Sequence, residues 1–168
     1  MRNLEAKFRL PDANAARLRA EALGYAARGV LNQRDTFFKV ARGKLKLREE
    51  ASGAWLIHYR REERQSLMLS NYEIVPVADA ANTRAMLAGA LGVLAEVRKE
   101  RTLLTRANVR LHLDRVDGLG NFGEIEARIV DGDDSESSRF AVDEMLSALG
   151  IGRADLIGVS YFELMRRR

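Results

Sequence analysis

The chain has no cysteine, two prolines, one tryptophan and two histidines among its 168 residues. Each scarcity removes a class of structure or chemistry. Without cysteine there is no disulfide framework, no thiolate-held zinc or iron–sulfur site and no thiol nucleophile, so any metal must be held by oxygen or by the two imidazoles. No run of 18 uncharged apolar residues occurs, and the opening MRNLEAKFRL has no apolar stretch. Neither a membrane span nor a cleaved leader is therefore expected, and the expectation is a soluble, cytoplasmic protein. A GxxxxGK[ST] loop is also missing, so a phosphate-bearing ligand would not be held by a P-loop.

What is present is a chain 46% hydrophobic and 31% charged, apolar enough to fold around a core and long enough for one domain spanning 1–168. Its net charge of +4 is unevenly placed. Residues 1–70 carry 15 Lys/Arg against 8 Asp/Glu, and residues 71–168 carry 13 against 16. A basic first half points to an anionic partner.

Strict polar–apolar alternation over Asn3–Leu10 predicts a strand, stopped by Pro11. Further strands are predicted over Val30–Val40, Lys44–Glu49, Ala54–Arg61, Tyr72–Val77, Val93–Thr105, Val109–Val116 and Phe122–Val130, the last two joined by the turn Asp117-Gly118-Leu119-Gly120. Asp12 is placed to cap a helix bearing Ala15, Ala16, Leu18, Ala22 and Leu23 that stops at Gly24. A second helix runs from Asp79 to Leu91 with Met86, Leu87, Ala90 and Leu91 in helical spacing. A third follows the polar stretch Asp131–Ser138 and carries Phe140, Val142, Met145, Leu146 and Leu149, and a short one covers Ser160–Arg167. Strands that are grouped rather than alternating with helices imply an α+β fold with an antiparallel sheet, closed into an eight-stranded barrel.

Residues i, i+2 and i+4 of a strand share a face, and the charged face repeats from strand to strand. It carries Asn3, Glu5, Lys7 and Arg9; then Lys44, Lys46 and Arg48; His58 with Arg60; Lys99 with Arg101; Arg110, His112 and Asp114; and Glu124, Glu126 and Arg128. Helices need the apolar strand faces to pack on, so closing the sheet turns the charged faces into a polar lumen. The expected lining holds ten cations and four carboxylates. Buried cations without an anion cost several kcal/mol each, roughly, even after relaxation, so a polyanionic ligand is implied. Arginine forks and lysines suit phosphate, and carboxylates suit Mg²⁺ or Mn²⁺. His58 and His112 read as polar lining, Trp55 and Phe37-Phe38 as core, and Arg166-Arg167-Arg168 as a solvated tail.

These residues resemble the CYTH family, the triphosphate tunnel metalloenzymes, and within it the class IV adenylyl cyclase-like branch. The resemblance rests on Asn3-Leu4-Glu5-Ala6-Lys7 at the place of the Glu-x-Glu-x-Lys signature and on Gln33-Arg34-Asp35-Thr36-Phe37-Phe38. It continues through Gly43-Lys44-Leu45-Lys46-Leu47-Arg48, Arg98-Lys99-Glu100-Arg101, Val109 to Val116, Gly118 to Glu126, and Ser160-Tyr161. It implies a tunnel in which Lys7, Arg9, Lys44, Lys46, Arg48, Arg60, Lys99, Arg101 and Arg110 hold a triphosphate, with Lys7, Lys46, Arg48 and Arg101 serving catalysis. Glu5, Asp114, Glu124 and Glu126 would hold Mg²⁺ or Mn²⁺, and Asn3 would be a weaker ligand where the family has Glu. The lysine that some triphosphatases carry near the terminal Ser-Tyr is replaced by Gly158 and Val159.

The implied activity is conversion of ATP to cyclic AMP and pyrophosphate. Hydrolysis of a small triphosphate (tripolyphosphate, thiamine triphosphate or a nucleoside triphosphate) and non-catalytic polyphosphate binding both stay open. Inward-facing charges disfavour nucleic acid and membrane as partners, and a homodimer stays open.

Overall fold

The computed structural model describes residues 1–64, 67–129 and 135–167. The expected strand end at Val130, the polar stretch 131–134 and Arg168 lie outside the described residues. In chain order the elements are β1 (Arg2–Arg9), α1 (Ala13–Ala22), β2 (Ala26–Phe38), β3 (Lys44–Glu50), β4 (Gly53–Arg64), β5 (Leu67–Val77), α2 (Ala80–Leu91), β6 (Val93–Arg106), β7 (Val109–Val116), β8 (Gly120–Ile129), α3 (Ser135–Leu149) and α4 (Tyr161–Arg166). The strands close into a barrel in the order β1-β5-β4-β3-β2-β6-β7-β8, with every pairing antiparallel. The expected α+β class and closed eight-stranded barrel with helices outside are what the chain adopts.

The cap expected at Asp12 is present, and Asp79 caps α2 in the same way. Asp12 accepts from the Ala15 N–H at 2.9 Å and Asp79 from the Asn82 N–H at 3.0 Å, satisfying donors that a helix start leaves free. Outside the barrel, Leu4, Ala6 and Phe8 of β1, Leu111 and Leu113 of β7, and Ile125, Ala127 and Ile129 of β8 are covered by Ala16 and Ala20 of α1 and by Val142, Met145, Leu146 and Leu149 of α3. A smaller patch, Phe38, Leu47 and Ala54, lies under Leu87, Ala88 and Leu91 of α2. Phe8 crosses Gly123 so closely that a β-carbon there would stand 2.2 Å from its ring.

Five apolar helix residues expected on packed faces point to solvent: Leu18 (59% exposed), Met86 (67%), Phe140 (73%), Ala22 and Ala90. In α3 the buried stripe is 142, 145, 146 and 149, a run at i, i+3, i+4 and i+7, and Phe140 stands two positions before it, roughly 200° around the helix. Arg166 and Arg167 are exposed. No helix among the described residues is long and apolar enough to cross a membrane.

The β1–β5 seam is the short one, four paired residues from Arg2 to Glu5. Beyond it the edge of β1 is taken by the segment before α4: Leu156 bridges Phe8, and the Ile157 N–H donates to the Lys7 carbonyl at 2.7 Å. This lays α4 against one end of the barrel with Tyr161 reaching inside. There Phe37, Ile57, Tyr59, Val97, Phe122, Tyr161 and Phe162 form an inner apolar cluster, and the charged residues occupy the lumen next to it.

Candidate functional site

The lumen contains a cavity of about 160 Å³ whose charged lining is Lys7, Lys46, Arg48, Arg61, Lys99, Arg101 and Arg110 against Glu5, Asp35, Glu124 and Glu126. Strand alternation places each of them. β1 turns Asn3, Glu5 and Lys7 inward, β3 Lys46 and Arg48, β6 Lys99 and Arg101, and β8 Glu124 and Glu126. Arg110 lines the cavity while remaining exposed.

Four cations expected in the lining are not in it. Arg9 is exposed, with its guanidinium 5.1 Å from the Phe122 ring centroid, and Arg128 is exposed at the far end of β8. Lys44 donates to Glu163 at 2.6 Å and to Ser160 at 3.3 Å, tying β3 to the start of α4. Arg60 and His58 face outward. Their strand presents the opposite parity, with Ile57, Tyr59 and Arg61 inside. The reason is packing. Leu56 belongs with the patch under α2, and His58 lies against the 42–43 turn, its Nε2 3.1 Å from the Arg42 carbonyl.

Asp35 organises one wall. Its carboxylate accepts from Arg48 Nε and a terminal Arg48 nitrogen at 2.8 Å each, from Lys99 at 2.9 Å and from Lys46 at 3.1 Å. Burial alone would raise its pKa, but these three cations hold it well below the usual carboxylate range. The lysines cannot all be compensated by one charge. Burial and the neighbouring Arg48 push Lys46 down to about 7, although Asp35 opposes the shift. Burial, with Arg48 and Arg101 nearby, takes Lys99 to about 8. A wall with three cations on one carboxylate is short of negative charge.

Across the barrel, β1 and β8 carry the acids. Glu124 accepts from Lys7 at 2.6 Å and from Arg101 at 2.9 Å; burial would raise it, yet Lys7, the neighbouring His112 side chain, Arg101 and Arg61 hold it well below its ordinary value. Glu5 pairs with Arg61 at 2.8 Å. Burial nevertheless raises Glu5 to about 7, helped by Glu126 and Glu124 against the lowering influence of Arg61 and Lys7. This wall is therefore crowded with negative charge and would gain from a cation.

Asn3 donates to Glu126 at 3.4 Å and accepts from the Tyr72 hydroxyl at 3.4 Å, so it stands beside the acids as a neutral neighbour. Asp114 sits behind the cavity with both oxygens engaged, by a two-pronged bond from Arg101 at 2.7 and 2.6 Å and by the Tyr161 hydroxyl at 2.8 Å. Its pKa falls to about 2, because the Arg101 pair outweighs burial. Asp114 thus fixes the Arg101 guanidinium and is not among the residues that line the cavity.

The acid wall fits a divalent ion in its donor chemistry. Among the described residues, ligand atoms of His112, Glu124 and Glu126 lie within 4.8 Å of one another. Glu5, which also lines the cavity, is a further oxygen donor once parted from Arg61.

Asp35, Arg61 and Tyr161 were not anticipated as site residues. Asp35 shares its face of β2 with Phe37, and the inward packing of that ring was the available signal. Both Asp35 and Tyr161 lie in segments that carry the family resemblance, but Tyr161 is 47 residues from Asp114 in sequence and meets it only because α4 docks on the barrel end. Its ring lies 4.4 Å from the Lys7 ammonium and 5.7 Å from that of Lys99, contacts of the cation–π kind that steady both amines.

A model of the CYTH domain matches residues 1–161. A protein of Methanocaldococcus jannaschii named "putative adenylate cyclase" is 26% identical over 98% of both chains. The solved structure of a Pyrococcus horikoshii protein superposes with a TM-score of 0.86 at 21% identity, covering 96% of this chain and 98% of that one. A "putative adenylyl cyclase" from Hippeastrum with a dominant triphosphatase activity superposes at 0.69 and 18% identity, over 98% and 95% of the two chains. At these identities the structural likenesses concern the fold.

Proposed function

The chain belongs to the CYTH domain family, and from that premise we propose that it is a divalent-metal-dependent enzyme acting on a triphosphate held inside the barrel, with ATP converted to cyclic AMP and pyrophosphate. The observation that carries this reading is the division of the lumen: Lys46, Arg48 and Lys99 converge on the single carboxylate of Asp35, opposite a wall where Glu5, Glu124 and Glu126 gather. A polyphosphate satisfies the first wall and its metal the second.

Lys46, Arg48 and Lys99 bind phosphate oxygens, with Asp35 holding their places until the ligand arrives. Lys7 and Arg101, at the boundary between the two walls, meet charge developing on the reacting phosphoryl group. Glu124 and Glu126, with Glu5, would hold Mg²⁺ or Mn²⁺, and such an ion, when bound, supplies neutralisation of phosphate charge. The ribose 3′-hydroxyl gives up its proton to solvent as its oxygen bonds to the α-phosphorus, the bond from that phosphorus to the α–β bridging oxygen breaks, and pyrophosphate leaves with that oxygen. The lining cations stabilise the charge carried away, and the closed barrel keeps the triphosphate extended for in-line displacement.

Hydrolysis of a small triphosphate is the second reading. It is favoured by the Hippeastrum protein, which shares the fold and has a dominant triphosphatase activity. Both reactions use the same cationic wall. Purified protein given ATP, tripolyphosphate or thiamine triphosphate with Mg²⁺ or Mn²⁺, with cyclic AMP, pyrophosphate and phosphate read separately, distinguishes them. Cyclic AMP matched by pyrophosphate supports the first reading and phosphate release the second. Tight tripolyphosphate binding with no turnover of any substrate would leave a binding module and overturn the enzyme.

A further inference from the structure

His112 stands out in the lumen. It projects from β7 between Arg110 and Asp114 and is 4% exposed. Its Nδ1 is buried without a hydrogen-bond partner among the described residues. The same atom faces Glu124 Oε2 and Glu126 Oε1, each at 3.7 Å, too long for a hydrogen bond. A buried polar atom left unpaired costs roughly 1–3 kcal/mol, and ligand atoms of the three residues lie within 4.8 Å of one another, with Glu124 Oε2 held by Arg101 at 2.9 Å. Donors around one six-coordinate ion, at about 2.1 Å each, are roughly 3 Å apart when adjacent and about 4 Å when opposite. The two 3.7 Å separations from Nδ1 lie between these values.

We propose that His112 Nδ1 is a ligand in its own right, completing with Glu124 and Glu126 a mixed nitrogen–oxygen site that prefers a transition ion such as Mn²⁺ to Mg²⁺. This rests on the metal-dependent reading above and deepens it. Carboxylates alone suit hard Mg²⁺, whereas an imidazole nitrogen shifts preference toward first-row transition ions. The neutral amide of Asn3 acts in the same direction. It stands beside Glu126 without adding charge to the acid wall, and a less anionic donor set favours the ion that gains from nitrogen.

Pulsed electron paramagnetic resonance of Mn²⁺ bound to metal-free protein, with no nucleotide present, tests the assignment. The chain has two histidines and no cysteine, and His58 lies outside the lumen, so ¹⁴N modulation of imidazole type has one source within reach of the acids. The modulation is expected in the wild type and in His58→Gln and absent in His112→Gln. In the latter, Mn²⁺ affinity should drop by about tenfold or more while Mg²⁺ affinity moves less than about threefold.

Bound Mn²⁺ without nitrogen modulation in the wild type would overturn the assignment, whether or not His112→Gln folds, and would leave triphosphate turnover untouched. Nitrogen modulation in a protein that turns over no triphosphate would uphold the metal site and overturn the proposed reaction. Failure of Mn²⁺ to bind, with or without tripolyphosphate, would overturn both.

Discussion

At the scale of single residues, the lumen is an ion-pair network in which Asp35 does for three cations what a phosphate would do better. Lys46 and Lys99, pushed to about 7 and 8, are partly neutral in mildly alkaline solution. A bound polyanion favours their charged forms and raises both values. Binding of tripolyphosphate at pH 8 should therefore draw protons onto these lysines, read from calorimetric enthalpies in buffers of different ionisation heat after the ligand's own terminal ionisation is subtracted. Affinity should fall as pH rises from 7 to 9, the range in which the free lysines lose their protons. Proton release at pH 8 would contradict this account.

Asp35→Asn removes the shared carboxylate and leaves three cations uncompensated, which should cost about 3–5 kcal/mol in the ligand-free protein. Saturating tripolyphosphate should restore most of the loss in a thermal melt. An equal deficit with and without ligand would mean that Asp35 is not holding places for phosphate.

At the scale of elements, the parity of β4 decides which arginine serves the site. Arg61 pairs with Glu5 inside, whereas Arg60 is exposed. Arg61→Met should weaken tripolyphosphate binding by about tenfold or more, as loss of a buried charge-assisted contact does, and Arg60→Met by less than about twofold. Equal effects would place both side chains at the surface. β1, β3 and β8 were legible because charged and apolar residues alternate cleanly along them, as in Leu4-Glu5-Ala6-Lys7 and Leu45-Lys46-Leu47-Arg48. β4 was not, because Trp55, Ile57 and Tyr59 on one face and Ala54 and Leu56 on the other are all apolar, and only docking against α2 and the 42–43 turn selects between them. The helices repeat the lesson. Asp12 announced the start of α1 through local chemistry, but which apolar residues of each helix are buried depended on how much of the barrel it covers.

At the scale of the whole molecule, eight strands impose an inside and an outside on a chain whose net charge is +4. The lumen keeps seven cations against four carboxylates, a smaller excess than the sequence alone suggested. That excess is divided between a cation-rich wall on β2, β3 and β6 and an acid-rich wall on β1 and β8. The acid wall and Arg101 were readable from strand alternation. Asp35 and Tyr161 were not, since their roles arise where β2 meets β3 and β6, and where α4 meets the barrel end.

The central claim is that this lumen is built for a chain of phosphates. Equilibrium titration of the wild-type protein with phosphate, pyrophosphate and tripolyphosphate tests it directly. Affinity should rise in that order, with each added phosphate gaining about tenfold or more as further lining cations are engaged. Equal affinity for the three, or no binding of tripolyphosphate, would contradict it.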